Sequence, residues 1–165
     1  MRQSTPQNPG RSLSQTITIA IVMCVAIVAN AQEKTPLAGH WKANLEKSQR
    51  HENHQFKSAS LVFEMADNEV SITFSGINMA GKQEGGTRKV HPDGKEYPIQ
   101  EVSGFVEIAK WITPNKLEIV AQKDGVVSGR STYEVSSDKK TLTATLNGID
   151  GKGRPFEQII IFDRE

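Results

Sequence analysis

The chain has 165 residues, the length of one domain, and its 20 lysines and arginines against 19 acids give a formal charge of +1. That balance excludes a strongly basic nucleic-acid binder. With 36% hydrophobic and 24% charged residues, the composition suits a folded soluble domain and not a disordered chain.

The N-terminus reads as an export signal spanning 1–31. Arg2 and Arg11 precede an apolar run from Ile17 to Val28 with no acid among them, and Ala29-Asn30-Ala31 supplies the small-x-small pattern of a signal-peptidase site. Cleavage is expected after Ala31, leaving 32–165 as the domain. The run falls short of the roughly 20 apolar residues of a membrane span, so no stable span is expected after processing, an uncleaved anchor being the alternative reading. The single cysteine, Cys24, lies inside this segment, and Met23 before it is not the small residue that bacterial lipidation needs. Processing would remove two of the 20 basic side chains, no acid and the only thiol. The domain is thus expected to be exported, periplasmic or secreted, and to hold together without disulfides, thiolate metal sites or a cysteine nucleophile.

Beyond Leu37, apolar residues recur at every second position with turn signals roughly every ten residues, which predicts an all-β antiparallel sandwich or barrel. Candidate strands are 38–44, 59–66, 69–76, 86–90, 96–102, 104–112, 116–122, 126–135, 141–147 and 155–163. Only Leu45 to His54 could form a short helix, and its polar composition leaves it little to bury.

Turn chemistry registers three hairpins. Asp67 and Asn68 tolerate positive φ, so a two-residue turn there sets Met65 opposite Val70, Phe63 opposite Ile72 and Leu61 opposite Phe74. At Thr113-Pro114-Asn115, the fixed φ of proline disfavours a primed turn. A three-residue loop with Asn115 left-handed is expected, pairing Trp111 with Leu117, Ala109 with Ile119 and Lys110 with Glu118. At Lys123-Asp124-Gly125, a two-residue turn would set Arg130 beside Ile119. A three-residue loop with Gly125 left-handed sets it beside Glu118 and is preferred, because it places Val127, Tyr133 and Val135 on the apolar side and builds an outer row of Lys110, Glu118 and Arg130. One internal echo, Gly76-Ile77-Asn78-Met79-Ala80-Gly81-Lys82 against Gly148-Ile149-Asp150-Gly151-Lys152-Gly153-Arg154, reads as two hairpin loops of similar geometry. Neither stretch opens a helix, so a phosphate cradle is not indicated.

The segment Leu37-Ala38-Gly39-His40-Trp41-Lys42-Ala43-Asn44-Leu45-Glu46-Lys47-Ser48 resembles the opening of small exported bacterial proteins described as lipocalin-like, a Gly-x-Trp followed by Asn and Lys-Ser. The resemblance continues through Asp93-Gly94-Lys95-Glu96-Tyr97-Pro98, Lys140-Thr141-Leu142-Thr143-Ala144-Thr145, Gly153-Arg154-Pro155-Phe156 and Ile161-Phe162-Asp163-Arg164. It implies an antiparallel up-and-down lipocalin-like β-barrel of about 8–10 strands. It further implies that Gly39 and Trp41 plug the closed end under a basic residue near the C-terminus, here Arg164. The chain departs from the wider lipocalin and fatty-acid-binding superfamily in lacking disulfides and the last-strand Arg-x-Tyr pair that holds a fatty-acid carboxylate.

Catalytic and metal-binding patterns are sparse. His51 and His54 could chelate a divalent ion from one helical turn, but nothing nearby supplies two more ligands, so no metal or cofactor is implied. No Gly-x-Ser-x-Gly elbow occurs, and no catalytic residue is assigned. The registered hairpins turn Phe105, Glu107, Ala109 and Trp111 to one side, so Glu107 would project a carboxylate into the lumen and require water, a basic partner or a raised pKa. Phe63, Phe74, Phe105, Glu107, Trp111, Ile119 and Tyr133 are therefore the candidate lumen-lining residues. Small barrels are commonly filled by their own side chains, which favours a filled interior over a large cavity. Function stands between a monomeric, non-catalytic barrel around a small hydrophobic ligand and an envelope or secreted interaction module with a filled core. An enzyme at the barrel mouth would have only Glu107 and the His51/His54 pair to work with.

Overall fold

The period-two pattern is realised as ten antiparallel strands in the computed structural model, which describes residues 35–165 apart from 53, 101 and 151. The expected export segment, 1–31, lies outside the described residues. In chain order the strands are β1 (Gly39–Gln49), β2 (Phe56–Ala66), β3 (Glu69–Asn78), β4 (Gln83–Val90), β5 (Asp93–Pro98), β6 (Phe105–Thr113), β7 (Lys116–Lys123), β8 (Val126–Val135), β9 (Thr141–Ile149) and β10 (Pro155–Arg164). Each pairs with its neighbours in sequence and β1 pairs with β10, giving the order β4-β3-β2-β1-β10-β9-β8-β7-β6-β5. The sheet curls into an up-and-down barrel whose two edges, β4 and β5, have no ladder between them.

One half of the interior is solid. Leu37, Trp41, Phe63, Val70, Val90, Leu117, Val135 and Leu142 are fully buried there. The Trp41 indole N–H donates to the Leu37 carbonyl at 2.9 Å, and the Arg164 guanidinium lies 4.0 Å over the indole ring. Arg164 also donates to the carbonyls of Lys139 and Ala38 at 2.6 and 3.0 Å, and to that of Pro36. Gly39, with φ +128°, lies directly beneath it: a Cβ there would stand 2.9 Å from Arg164 Nη1.

The segment Leu45 to His54 does not form a helix. β1 runs on to Gln49 through an irregular register against β10. Its polar side chains satisfy backbone groups that the bulge sets free. Ser48 Oγ donates to the Asn44 carbonyl at 2.6 Å and accepts from Ile161 N–H at 3.0 Å. Asn44 accepts from Lys47 N–H at 3.2 Å and donates to Asp163 at 2.7 Å. The Asn and Lys-Ser of the opening motif are thus parts of a strand-bending device.

The β2–β3 hairpin has the expected register, with Leu61 opposite Phe74, Phe63 opposite Ile72 and Met65 opposite Val70, although only Asp67 takes a positive φ, 48°. In the β6–β7 hairpin all three expected pairs form, but by another turn. A bulge at Ile112 absorbs the odd residue and Thr113 pairs with Lys116, so Asn115 is not left-handed. Its side chain instead donates to the Val135 carbonyl at 2.7 Å.

The β7–β8 register corrects the expectation. Asp124 and Gly125, at φ 50° and 78°, make a two-residue turn, and a bulge at Ser128 then shifts the ladder so that Arg130 faces Val120. Val127, expected on the apolar side, is 48% exposed because it precedes that bulge. The outer row still forms diagonally: Arg130 bonds Glu118, and Lys110 Nζ lies 3.2 Å from the same carboxylate. β5 also begins earlier than expected and ends at Pro98. The echoed loops share one geometry: Asn78 and Asp150 each accept a backbone N–H four residues on through the side chain, and Gly81 and Gly153 take φ of 83° and 77°.

Candidate functional site

The other half of the interior is open. Across β6 to β10 the ladder sets Glu107, Ala121, Gly129, Gly148 and Phe156 in one inner row, and Ala109, Ile119, Ser131, Leu146 and Gln158 in the next. On β4 a Cβ added at Gly86 would meet nothing within 4 Å. Small residues at Ala59, Gly86, Ala121 and Ala144 leave a cavity of about 1270 Å³, walled by Leu61, Ile72, Phe74, Tyr133, Leu146 and Ile160 among others. The filled interior favoured by barrel size is therefore not what forms, because glycine and alanine occupy inner positions where bulkier side chains would meet. Both faces of β4 line the cavity, Gly86 and Arg88 from inside and Thr87 and Lys89 from outside, so it opens past the unpaired β4 edge. A shallower recess of about 500 Å³ shares Arg88, Ala121 and Leu146 and adds Phe105, Ile119 and Phe156.

Within this apolar wall stand a few polar groups. Glu107 projects inward from β6 and finds its basic partner in Arg88 of β4: Arg88 Nε donates to Glu107 Oε2 at 2.8 Å, and Nη2 donates to the same oxygen. The side chains are 12% and 42% exposed respectively, and the pair ties β4 to β6 across the open seam. The Tyr133 ring stacks edge-on against Phe63 at 5.2 Å. Burial pushes its phenol pKa up, and the Arg88 charge and the Ser131 hydroxyl draw it partly back. Gln158 is 8% exposed, and its Oε1 has no hydrogen-bond partner among the described residues. At the seam the His91 and Tyr97 rings lie 4.7 Å apart, and the Tyr97 hydroxyl donates to Asp93 at 3.0 Å. The Lys95 ammonium and amide hold the exposed Asp93 carboxyl down to about 2.

Of the candidate lumen residues, the structure places Phe74, Glu107 and Tyr133 on the cavity and Phe105 and Ile119 on the recess. Phe63 is buried in the solid half, and Trp111 packs against that core, so neither faces the cavity. Phe74 stands at the mouth, 37% exposed. His51 and His54 rest on Phe156, with ring centroids at 5.4 and 5.0 Å, and His54 reaches the cavity. Among the described residues no cluster of metal-ligating side chains occurs. Arg88, Gln158 and Phe156 were not singled out from sequence. Phe156 and Gln158 were legible by parity from Phe162 on β10. Arg88 was not, because β4 has a single large apolar residue, Val90, from which to count.

No protein-family model matches this chain, and no curated protein does. Its fold is nevertheless that of the fatty-acid-binding and lipocalin-type barrels. Wild-type fluorescent protein UnaG aligns with a TM-score of 0.52 at 15% identity over 78% of this chain and 96% of its own. A Schistosoma mansoni fatty acid binding protein in complex with arachidonic acid gives 0.53 at 14%, over 79% and 97%. Zebrafish ileal bile acid-binding protein complexed with cholic acid gives 0.50 at 14%, over 79% and 99%. At such identities the likeness is one of fold.

Proposed function

We propose that this chain is an exported, non-catalytic barrel that holds one small apolar or amphipathic molecule in its lumen, in the periplasm or outside the cell. The cavity of about 1270 Å³ carries this reading. It exceeds the roughly 300–1,000 Å³ of ordinary small-molecule sites and has their make-up, an apolar wall with a few fixed polar groups. Two barrels of the same fold hold lipid-like molecules, arachidonic acid in one and cholic acid in the other, which adds an analogy of architecture. Charged groups on the wall are engaged with one another, Arg88 with Glu107 and Lys89 with Glu69, a pattern that suits orientation of a ligand over turnover. The export part of the reading rests on the signal-like segment 1–31.

Mass spectrometry of the protein purified from its native host, together with titration by a fluorescent lipid probe, tests the proposal. A co-purifying small molecule and saturable, one-to-one probe uptake are expected. Absence of both would leave the barrel as a scaffold for surface interactions.

A further inference from the structure

The polar groups on the cavity wall are unequal in what they can still bond, and this selects a head group. Three carboxylates, Glu69, Glu84 and Glu107, line the cavity with two cations, Arg88 and Lys89, the Glu69–Lys89 pair standing on the outer face at its mouth. Both cations are taken: Arg88 by Glu107, and Lys89 Nζ by Glu69 at 2.9 Å. An entering carboxylate would meet net negative charge and would have to break an existing pair to find a counterion. Acceptors, in contrast, remain available. Arg88 engages only Oε2 of Glu107, so Oε1 has no partner among the described residues. On another wall Gln158, between Phe156 and Ile160 on the inner face of β10, carries a buried Oε1 with no partner among the described residues, an acceptor that a donating head group seated against it would satisfy.

We propose that the cavity selects uncharged amphiphiles whose head group donates a hydrogen bond, an alcohol or a carboxamide, over free carboxylates. The inference rests on lumen binding as proposed above and adds the chemical class of the head. A site whose buried polar groups are satisfied by one head group rejects analogues that leave them unpaired, and a carboxylate or an ester supplies no donor.

Competition against Nile red with four probes sharing one C18 chain reads this directly: oleyl alcohol, oleamide, oleate and methyl oleate. The alcohol and the amide should displace the dye at roughly tenfold lower concentration than oleate or methyl oleate. Glu107→Gln keeps the shape but releases Arg88, so oleate should improve about tenfold while the alcohol changes less than about threefold. Gln158→Leu should narrow the alcohol's advantage over methyl oleate, the Glu107 Oε1 acceptor remaining. Saturable Nile red uptake with oleate or methyl oleate binding as well as the alcohol overturns the head-group inference and leaves lumen binding standing. No saturable uptake at all removes lumen binding, and this inference with it.

Discussion

Gly86→Leu separates a cavity kept open for a ligand from one that merely failed to fill. Gly86 lies on the inner face of β4 opposite Phe74, with ordinary backbone φ and nothing within 4 Å of a built Cβ. Burying a leucine side chain contributes about 1.5–3 kcal/mol, of which roughly half applies at a site open past the β4 edge. Removing a glycine from a strand interior contributes about 0.5–1 kcal/mol more. The variant should therefore be more stable than the parent by about 1–2.5 kcal/mol, a rise in Tm of about 3–10 °C. It should also take up Nile red more weakly. Urea unfolding with an unchanged m-value measures the first effect and dye titration the second. The adjacent Gly85 is the control, because its Cβ would stand 2.7 Å from the Phe74 carbonyl oxygen, a backbone atom. Gly85→Ala should destabilise by roughly 1–3 kcal/mol. A destabilised Gly86→Leu, or one with undiminished dye uptake, would refute the placement of the open half.

The closed end should be costly to disturb. Trp41→Ala is expected to lose about 3–5 kcal/mol, and Trp41→Phe, which keeps a ring under Arg164 but drops the indole N–H, about 1–2 kcal/mol; urea midpoints that show Trp41→Ala within about 1 kcal/mol of the parent would count against the plug. Burial raises the Glu118 pKa, but hydrogen bonds from Arg130 and Lys110 outweigh it and hold the carboxyl below its ordinary 4.5. With the folded value the lower one, the triad's contribution is complete above the unfolded pKa and is lost as pH falls through the folded value. Glu118→Gln should accordingly flatten the loss of stability on acidification below pH 4.5, seen in urea midpoints against pH. At the β1 bulge, Ser48→Ala removes the acceptor of Ile161 N–H. Hydrogen exchange at that amide should accelerate, with about 1–2 kcal/mol lost overall.

Much of the site could be reached from the sequence once a register was known, and what was missed has local causes. Glu107 follows from parity with Ala109 and Trp111, and its need for a basic partner follows from the cost of burying a charge. The identity of that partner did not. Gly85-Gly86-Thr87-Arg88-Lys89 has no alternation to read, so the inward face of β4 is set by its ladder with β3. Gln158 sits beside Ile159, Ile160 and Ile161, where apolar residues on both faces blur the period. Phe63 and Trp111 have the expected inward parity but lie level with the solid half, and parity says nothing about height along the barrel.

Alternation and turn residues are local properties of the chain, and they were enough for ten strands and most of the hairpin pairings, whereas the neighbour-to-neighbour order and the plug of Trp41 under Arg164 were implied by the family resemblance. Bulges at Ile112 and Ser128 show the limit, since one inserted residue is energetically close to one more turn residue, and only packing of the whole sheet chooses between them. Whether the interior is full is likewise a sum over all strands. The lumen exists because Ala59, Gly86, Ala121 and Ala144, far apart in sequence, arrive on its wall, and its polar character exists because Arg88 and Glu107 meet across an edge that no hairpin pairs.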